Sequence, residues 1–233
     1  MLNLPLSPFP VRSQLDQYGF AWLPASHWQR PSRGEAEFLE VWDDLPQDTF
    51  MGDGGCYRFR RYSRLGWSNG ELVVLSGNSI CQSLQDNSLN GGVERTFAAL
   101  PKAVLEGEFL RSLIELEARG LGVERAPGWV VGVHCVRIRA LSGQLGLPTP
   151  EGVHRDAERF TVQHLIARQG VRGGTFSAYD SQRRPRFHWL QLCRWDALVF
   201  TGELWHSATP IEAVEGEGHR DILLIDFDRP VEP

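Results

Sequence analysis

Trp129-Val130-Val131-Gly132-Val133-His134-Cys135-Val136-Arg137-Ile138 is the run that decides the fold class, because β-branched residues dominate it and favour a pleated strand over a helix. Phe160-Thr161-Val162-Gln163-His164-Leu165-Ile166-Ala167 repeats the character. Shorter strand-like runs follow at 186–192, 197–200 and 221–227, with a Gly173-Gly174 turn among them. Short strands at regular spacing predict an antiparallel double-sheet barrel. Upstream the pattern differs. Residues 106–119 gather Phe109, Leu110, Leu113, Ile114 and Leu116 on one face and stop at Gly120, which predicts an amphipathic helix. A shorter helix is expected over 35–42, strands over 56–63 and 71–75, and a loop over 83–92. The 56–63 strand alternates apolar and basic residues and reads as half-exposed. Helices early and strands late predict helices packed against one side of the barrel.

With 233 residues, 42% of them hydrophobic and 23% charged, the chain reads as a single domain over 1–233. A helix-and-strand support would occupy 1–128 and the barrel core about 129–228. A net charge of -5 offers no footprint for nucleic acid, and no apolar run reaches membrane-spanning length. Met1-Leu2-Asn3-Leu4-Pro5-Leu6-Ser7-Pro8 lacks a basic region ahead of an apolar stretch, so no signal peptide is expected. Cys56, Cys81, Cys135 and Cys193 form no C-x-x-C pair, which argues against a zinc ribbon or a disulfide framework. The expectation is a cytoplasmic protein whose thiols sit in its core, and whose exposed strand edges are compatible with a homodimer.

The chemistry concentrates in His154-Arg155-Asp156, in His206 of Leu204-Trp205-His206-Ser207, and in Arg220 of Gly218-His219-Arg220-Asp221. Residues i and i+2 of a strand share a face, so His154 and Asp156 would point together with Cα atoms roughly 7 Å apart. Two imidazoles and one carboxylate are the ligand set of a non-heme Fe(II) oxygenase, with three positions left open. H-x-D alone is a weak signal, and His164, His188 and His219 compete for the second histidine. His164, mid-strand among Val162, Leu165 and Ile166, reads as a core histidine or one that orients a ligand, and His219 as a loop residue. Arg220 opens a largely apolar strand, where a guanidinium is costly to bury without an anion. That anion is either a protein carboxylate such as Asp226 or Asp180, or the far carboxylate of a keto-diacid.

Taken in order, Tyr57-Arg58-Phe59-Arg60-Arg61-Tyr62-Ser63-Arg64, Gly132-Val133-His134-Cys135-Val136-Arg137, Glu151-Gly152-Val153-His154-Arg155-Asp156, Gly173-Gly174, Leu204-Trp205-His206-Ser207-Ala208-Thr209-Pro210 and His219-Arg220-Asp221-Ile222-Leu223-Leu224 resemble one family. It is the 2-oxoglutarate and Fe(II)-dependent dioxygenases of the bacterial L-isoleucine dioxygenase type, which hydroxylate free L-amino acids. The resemblance spans about 52–228. It implies a mainly β fold with flanking helices around a double-stranded β-helix (jelly-roll, cupin-like) core. It implies Fe(II) held by His154, Asp156 and His206, with 2-oxoglutarate and O₂ as co-substrates and succinate and CO₂ as products. Arg220, helped by Thr209, would hold the C5 carboxylate of 2-oxoglutarate. Arg137 would face the α-carboxylate of the amino acid, with His134, Arg60 and Tyr62 further candidates on the substrate side. Residues 141–149 precede the H-x-D segment and would cover the site. The readings that compete are the same chemistry on a carrier-tethered amino acid or a small peptide, a non-catalytic jelly-roll binding module, and a cupin-type isomerase or zinc hydrolase. In the last two Arg220 has no evident task.

Overall fold

The valine-rich run forms the longest strand, Trp129–Leu141, in a computed structural model that describes residues 9–68, 71–84, 87, 89–123 and 128–229. In chain order the elements begin α1 (Arg12–Tyr18), β1 (Phe20–Leu23), α2 (Glu35–Leu39), β2 (Arg58–Ser68), β3 (Glu71–Val74), β4 (Ser79–Ile80) and β5 (Arg95–Thr96). They continue with α3 (Lys102–Leu105), α4 (Glu108–Leu121), β6 (Trp129–Leu141), β7 (Phe160–Gln169), β8 (Val171–Gly173) and β9 (Phe176–Tyr179). The last are β10 (Pro185–Trp189), β11 (Ala197–Thr201), β12 (Trp205–Ala208), β13 (Ile211–Ala213) and β14 (Glu217–Asp228). Residues 1–8, read above for a leader, and part of the 83–92 loop lie outside the described residues.

Seven strands pair in the order β1-β11-β7-β14-β6-β2-β3, antiparallel throughout. A second layer is built from β10-β9-β12 and from β13-β8. Backbone bonds between His154 and His206 and between Gly146 and Ile211 add the 141–154 segment to that layer. This is the mainly β, jelly-roll architecture expected, with helices on one side. The two-residue period of β6 explains the layering. Val131, Val133 and Cys135 enter the core under α4, whereas Val136, Ile138 and Ala140 face the second layer. The helix-side core joins Phe38, Phe109, Leu113, Trp195 and Val199, each buried side chain contributing about 2 kcal/mol of apolar transfer. Gly173 and Gly174 both have positive φ, 81° and 72°, which suits glycine in the turn from β8 to β9.

Several local expectations change. The main helix ends at Gly122 (φ 71°) and not at Gly120. Gly120 lies inside it, where a Cβ would come within 2.7 Å of the Phe9 carbonyl oxygen, so close packing is the reason for that glycine. The 35–42 helix is α-helical only through Leu39 and tightens into a 3₁₀ turn over Glu40–Asp44. The last strand starts at Glu217, which takes His219 out of the expected loop and pairs it with Arg139. The expected half-exposed strand is not one: Arg58 and Arg60 are each only 8% exposed. Cys135 is buried, but Cys56, Cys81 and Cys193 are exposed, so most thiols are not core residues. Among the described residues no helix is long and apolar enough to cross a membrane.

Candidate metal centre

The facing segments bring His154, Asp156 and His206 together, with one ligand atom from each lying within 4.8 Å of the others. The Asp156 carboxylate is 3.6 Å from His154 Nε2 and 3.8 Å from His206 Nε2. Two atoms that each sit about 2.1 Å from one ion can be no more than about 4.2 Å apart, so both separations suit a shared metal. Only His206 stands in a strand. His154 makes a single bridge and Asp156 has no regular structure, so the H-x-D segment is a rim loop and not the expected strand. Reciprocal backbone bonds of 3.0 and 2.9 Å between His154 and His206 hold that loop to β12.

Both imidazoles are set in the same tautomer. His154 Nδ1 lies 3.0 Å from the Gly152 carbonyl oxygen and His206 Nδ1 lies 3.2 Å from that of Leu204. A carbonyl only accepts, so each Nδ1 carries the proton and each Nε2 keeps its lone pair for a metal. Burial pulls the His206 pKa down to about 4, despite the Asp156 charge, which keeps this ring neutral at pH 7. Phe176 and Phe200 pack 5.7 and 4.6 Å from the His206 ring. Glu151, whose Oε1 is 3.4 Å from His154 Nε2, lines the same cavity of about 150 Å³.

Arg220 lines that cavity too and is 2% exposed. Its Nη2 donates to Gln191 Oε1 at 2.9 Å, its Nε has no partner, and no carboxylate pairs with it among the described residues. Neither protein carboxylate weighed above is its partner: Asp180 binds Arg184 and Arg186, and Asp226 meets His134. Gln191 also accepts from Gln163 Nε2 at 2.8 Å, which fixes the amide that steers Arg220.

The other expected residues separate into two groups. Arg60 and His134 line the cavity. Arg60 donates to His134 Nδ1, which leaves His134 Nε2–H to donate to Asp226 Oδ2 at 2.6 Å, and the Tyr62 ring packs 4.4 Å from the His134 ring. Burial, then the Arg60 charge, drives the His134 pKa well below its usual value. Burial, then the Asp156 charge, lifts Asp226 to about 8. Arg137 does not join them. It stands on the helix side of β6 and forks onto Asp221 at 2.8 and 2.7 Å. Thr209 is exposed and accepts the Thr175 N–H at 3.0 Å, away from the cavity wall.

The competing histidines lie elsewhere. His164 is fully buried on the helix side of β7, 2.6 Å from Glu117 Oε1 and stacked 5.3 Å from Trp28, so it is a core residue that orients no metal ligand. His188 bonds to Ser177 Oγ. The 141–149 segment covers the cavity through Pro148 and Thr149 and is pinned by the exchange of hydrogen bonds between Thr149 Oγ1 and Ala208. Sequence reasoning missed Arg58, Gln82, Arg95, Glu151, Glu158 and Asp226, all of which line the cavity. The shared two-residue period of Arg58, Arg60 and Tyr62 was the available signal for the first.

Comparison with known proteins agrees with this geometry. Residues 39–226 match a family model described as 2OG-Fe dioxygenase. A 3(1)-hydroxy-L-isoleucine 4-dioxygenase of Pantoea ananatis (strain AJ13355) is 25% identical over 234 residues, covering 93% of this chain and 94% of that protein. An L-isoleucine-4-hydroxylase of Bacillus thuringiensis is 24% identical over 183 residues, 75% of each. Among solved structures, a bsmA homolog from Methylobium petroleophilum PM1 superposes with a TM-score of 0.81 at 28% identity, over 97% of this chain and 95% of that one. IDO from Bacillus thuringiensis superposes with a TM-score of 0.78 at 18% identity, over 99% and 98%, which speaks for the fold alone.

Proposed function

The chain belongs to the 2OG-Fe dioxygenase family, an enzyme family that uses Fe(II), 2-oxoglutarate and O₂, and from that membership we propose that it hydroxylates a free L-amino acid. In this reading His154, Asp156 and His206 hold the iron and Arg220 holds the C5 carboxylate of 2-oxoglutarate. The residues fit that load: two Nε2 lone pairs and a carboxylate converge, and a buried guanidinium with an unpartnered Nε lies in the same cavity. Bound iron supplies the oxidising chemistry, in which one atom of O₂ enters succinate, the other becomes the product hydroxyl, and CO₂ is released.

The chain's own residues bind and orient. The Gly152 and Leu204 carbonyls keep both imidazoles presenting Nε2. Gln191 aims Arg220, whose planar fork matches a carboxylate in a way a lysine would not. Phe176 and Phe200 exclude water beside His206. A free amino acid needs a cation for its carboxylate and an anion for its ammonium, and the wall of the cavity carries Arg60 and Glu151.

The observation that carries the reading is Arg220, buried beside the three convergent ligands with no carboxylate among the described residues to neutralise it. Support for the amino-acid acceptor comes from the activities named for the two relatives. The test is to load the protein with Fe(II) without oxygen, add 2-oxoglutarate, admit air and screen the twenty amino acids for succinate. Coupled release with one or a few of them is expected, and His206→Ala should abolish it. Release only with carrier-tethered amino acids or peptides would refute the free-acceptor reading.

A further inference from the structure

Arg58, Arg60 and Arg95 line the cavity beyond the metal ligands, on β2 and on the β4–β5 hairpin that covers it. They are 8%, 8% and 3% exposed. Among the described residues one carboxylate pairs with the trio: Asp48, 2.8 Å from Arg58 Nε and 4.0 Å from Arg60 Nη1. Arg95 donates to the neutral acceptor Gln82 Oε1 at 2.7 Å, and Arg60 lies 4.1 Å over the Phe97 ring. Among the described residues Arg58 Nη2, Arg60 Nε and Arg95 Nε have no hydrogen-bond partner. Three buried guanidiniums that repel one another are costly unless anions arrive.

The count of charges specifies how many. Among the described residues Asp48 pairs with Arg58 and, at 4.0 Å, with Arg60, and no carboxylate hydrogen-bonds Arg60 or Arg95. Glu151, whose Oε2 is buried without a partner, offers the anion that an ammonium requires. The wall around the trio carries Gln82, Asn87 and Thr149 beside Ile80 and Pro148. Phe176 and Phe200 pack on His206, and Ile222 stands in register with Arg60 through Val136.

We propose that the acceptor is an α-amino dicarboxylic acid, its two carboxylates received by Arg58, Arg60 and Arg95 and its ammonium by Glu151. The inference rests on the reading of this chain as a free-amino-acid hydroxylase and narrows its substrate class. With both carboxylates in place, the guanidinium groups that have no carboxylate hydrogen bond among the described residues meet an anion. Arg95 is a specificity residue: it meets the substrate and leaves the metal and 2-oxoglutarate untouched.

The experiment is succinate release by the Fe(II) enzyme with L-aspartate, L-glutamate and L-2-aminoadipate, against L-isoleucine and L-leucine. One of the three acids should exceed isoleucine by at least about tenfold. Arg95→Gln should raise the KM for that acid about 30-fold, the loss expected for one charge-assisted contact, and leave the KM for 2-oxoglutarate unchanged. Arg95→Lys should fall between them. As a readout independent of turnover, the acid should raise the Tm of the Zn(II)- and 2-oxoglutarate-loaded protein, and Arg95→Gln should lose that gain while its ligand-free Tm equals or exceeds that of the wild type. Turnover of isoleucine or leucine with the acids silent would overturn this inference and leave the free-amino-acid reading standing. Silence of all free amino acids, with release on a tethered one, would overturn both.

Discussion

Arg220→Gln separates what a buried cation does for the fold from what it does for a ligand. Arg220 is 2% exposed, gives one hydrogen bond to Gln191, and has an unpartnered Nε. Burial, with some repulsion from Arg168, pulls its pKa from 12.5 down to about 10. At 1.36 kcal/mol per decade that fall corresponds to about 3 kcal/mol of lost hydration, carried by the ligand-free protein. Two effects of opposite sign follow. The ligand-free Tm of Arg220→Gln should equal or exceed that of the wild type, because the uncompensated charge is gone. Affinity for 2-oxoglutarate should fall, since a bidentate charge-assisted pair contributes about 3 kcal/mol, or about 100-fold in Kd. Calorimetric titration of Zn(II)-loaded protein with 2-oxoglutarate reads that Kd without turnover, and Zn(II) binding should be unaffected. Arg220→Lys keeps the charge and loses the fork, so it should weaken binding about tenfold. An unchanged Kd in Arg220→Gln would remove this residue from the 2-oxoglutarate site. A drop of several degrees in the ligand-free Tm would instead make it a structural cation.

Other perturbations have equally definite signs. Arg137→Ala should leave the KM for 2-oxoglutarate and for the acceptor unchanged, yet cost about 2 kcal/mol in urea unfolding, because Asp221, 1% exposed, loses its fork; a KM change beyond threefold would return Arg137 to the site. Gly120→Ala, which in an open helix would stabilise by about 1 kcal/mol, should destabilise here and lower Tm by about 2–8 °C, because its Cβ meets Phe9 at 2.7 Å; a raised Tm would show that Phe9 yields freely. Asp226 has a folded pKa of about 8, above its unfolded value, so the folded state holds this proton more tightly. Its stabilising contribution is complete below about pH 4 and is lost as pH rises towards 8, by up to about 1.4 kcal/mol per pH unit. In metal-free protein the stability of the wild type relative to Asp226→Asn should therefore decline between pH 5 and 8, and parallel pH profiles would contradict that account.

The convergence of His154, Asp156 and His206 was legible because metal chemistry restricts the residue types so strongly that the local conformation hardly matters. His154 and Asp156 were expected to converge through strand geometry, and they converge from a loop pinned by one backbone pair. The face of Arg137 was legible but went unread. It stands three residues from His134, so in one strand the two cannot share a face, and the structure has Arg137 on the helix side with Asp221. Glu117 carried a comparable signal: it falls four residues after Leu113 on the apolar face of α4, where a carboxylate requires a buried partner, and His164 is that partner. The environment of Arg58 and Arg60 was not legible. A basic-apolar alternation reads the same whether its basic face meets water or a cavity, and that depends on the β4–β5 hairpin, whose polar sequence has no periodicity to read.

The two cationic poles of the cavity stand on one hydrogen-bonded ladder, and this constrains the acceptor further. Arg58 pairs with Ile138 in register, and Ile138 pairs with Arg220. Two strand spacings, about 10 Å, therefore separate the backbone of the proposed substrate anchor from that of the 2-oxoglutarate anchor. Arg220 lies in the central strand of the seven-stranded sheet and Arg58 two strands away, on a hydrogen-bonded ladder that does not stretch to suit a ligand. With His154, Asp156 and His206 on the facing layer, the distance from Arg58 and Arg60 to the proposed reacting centre is set by the fold. An acceptor one methylene too short or too long misplaces its C–H bond by about 1 Å, which is enough to cost about 100-fold in rate. Across aspartate, glutamate and 2-aminoadipate, kcat/KM should therefore peak sharply at one chain length, with each neighbour lower by tenfold or more. A flat profile across the series would mean that the trio moves with its ligand, and that the ladder does not set the reach of the site.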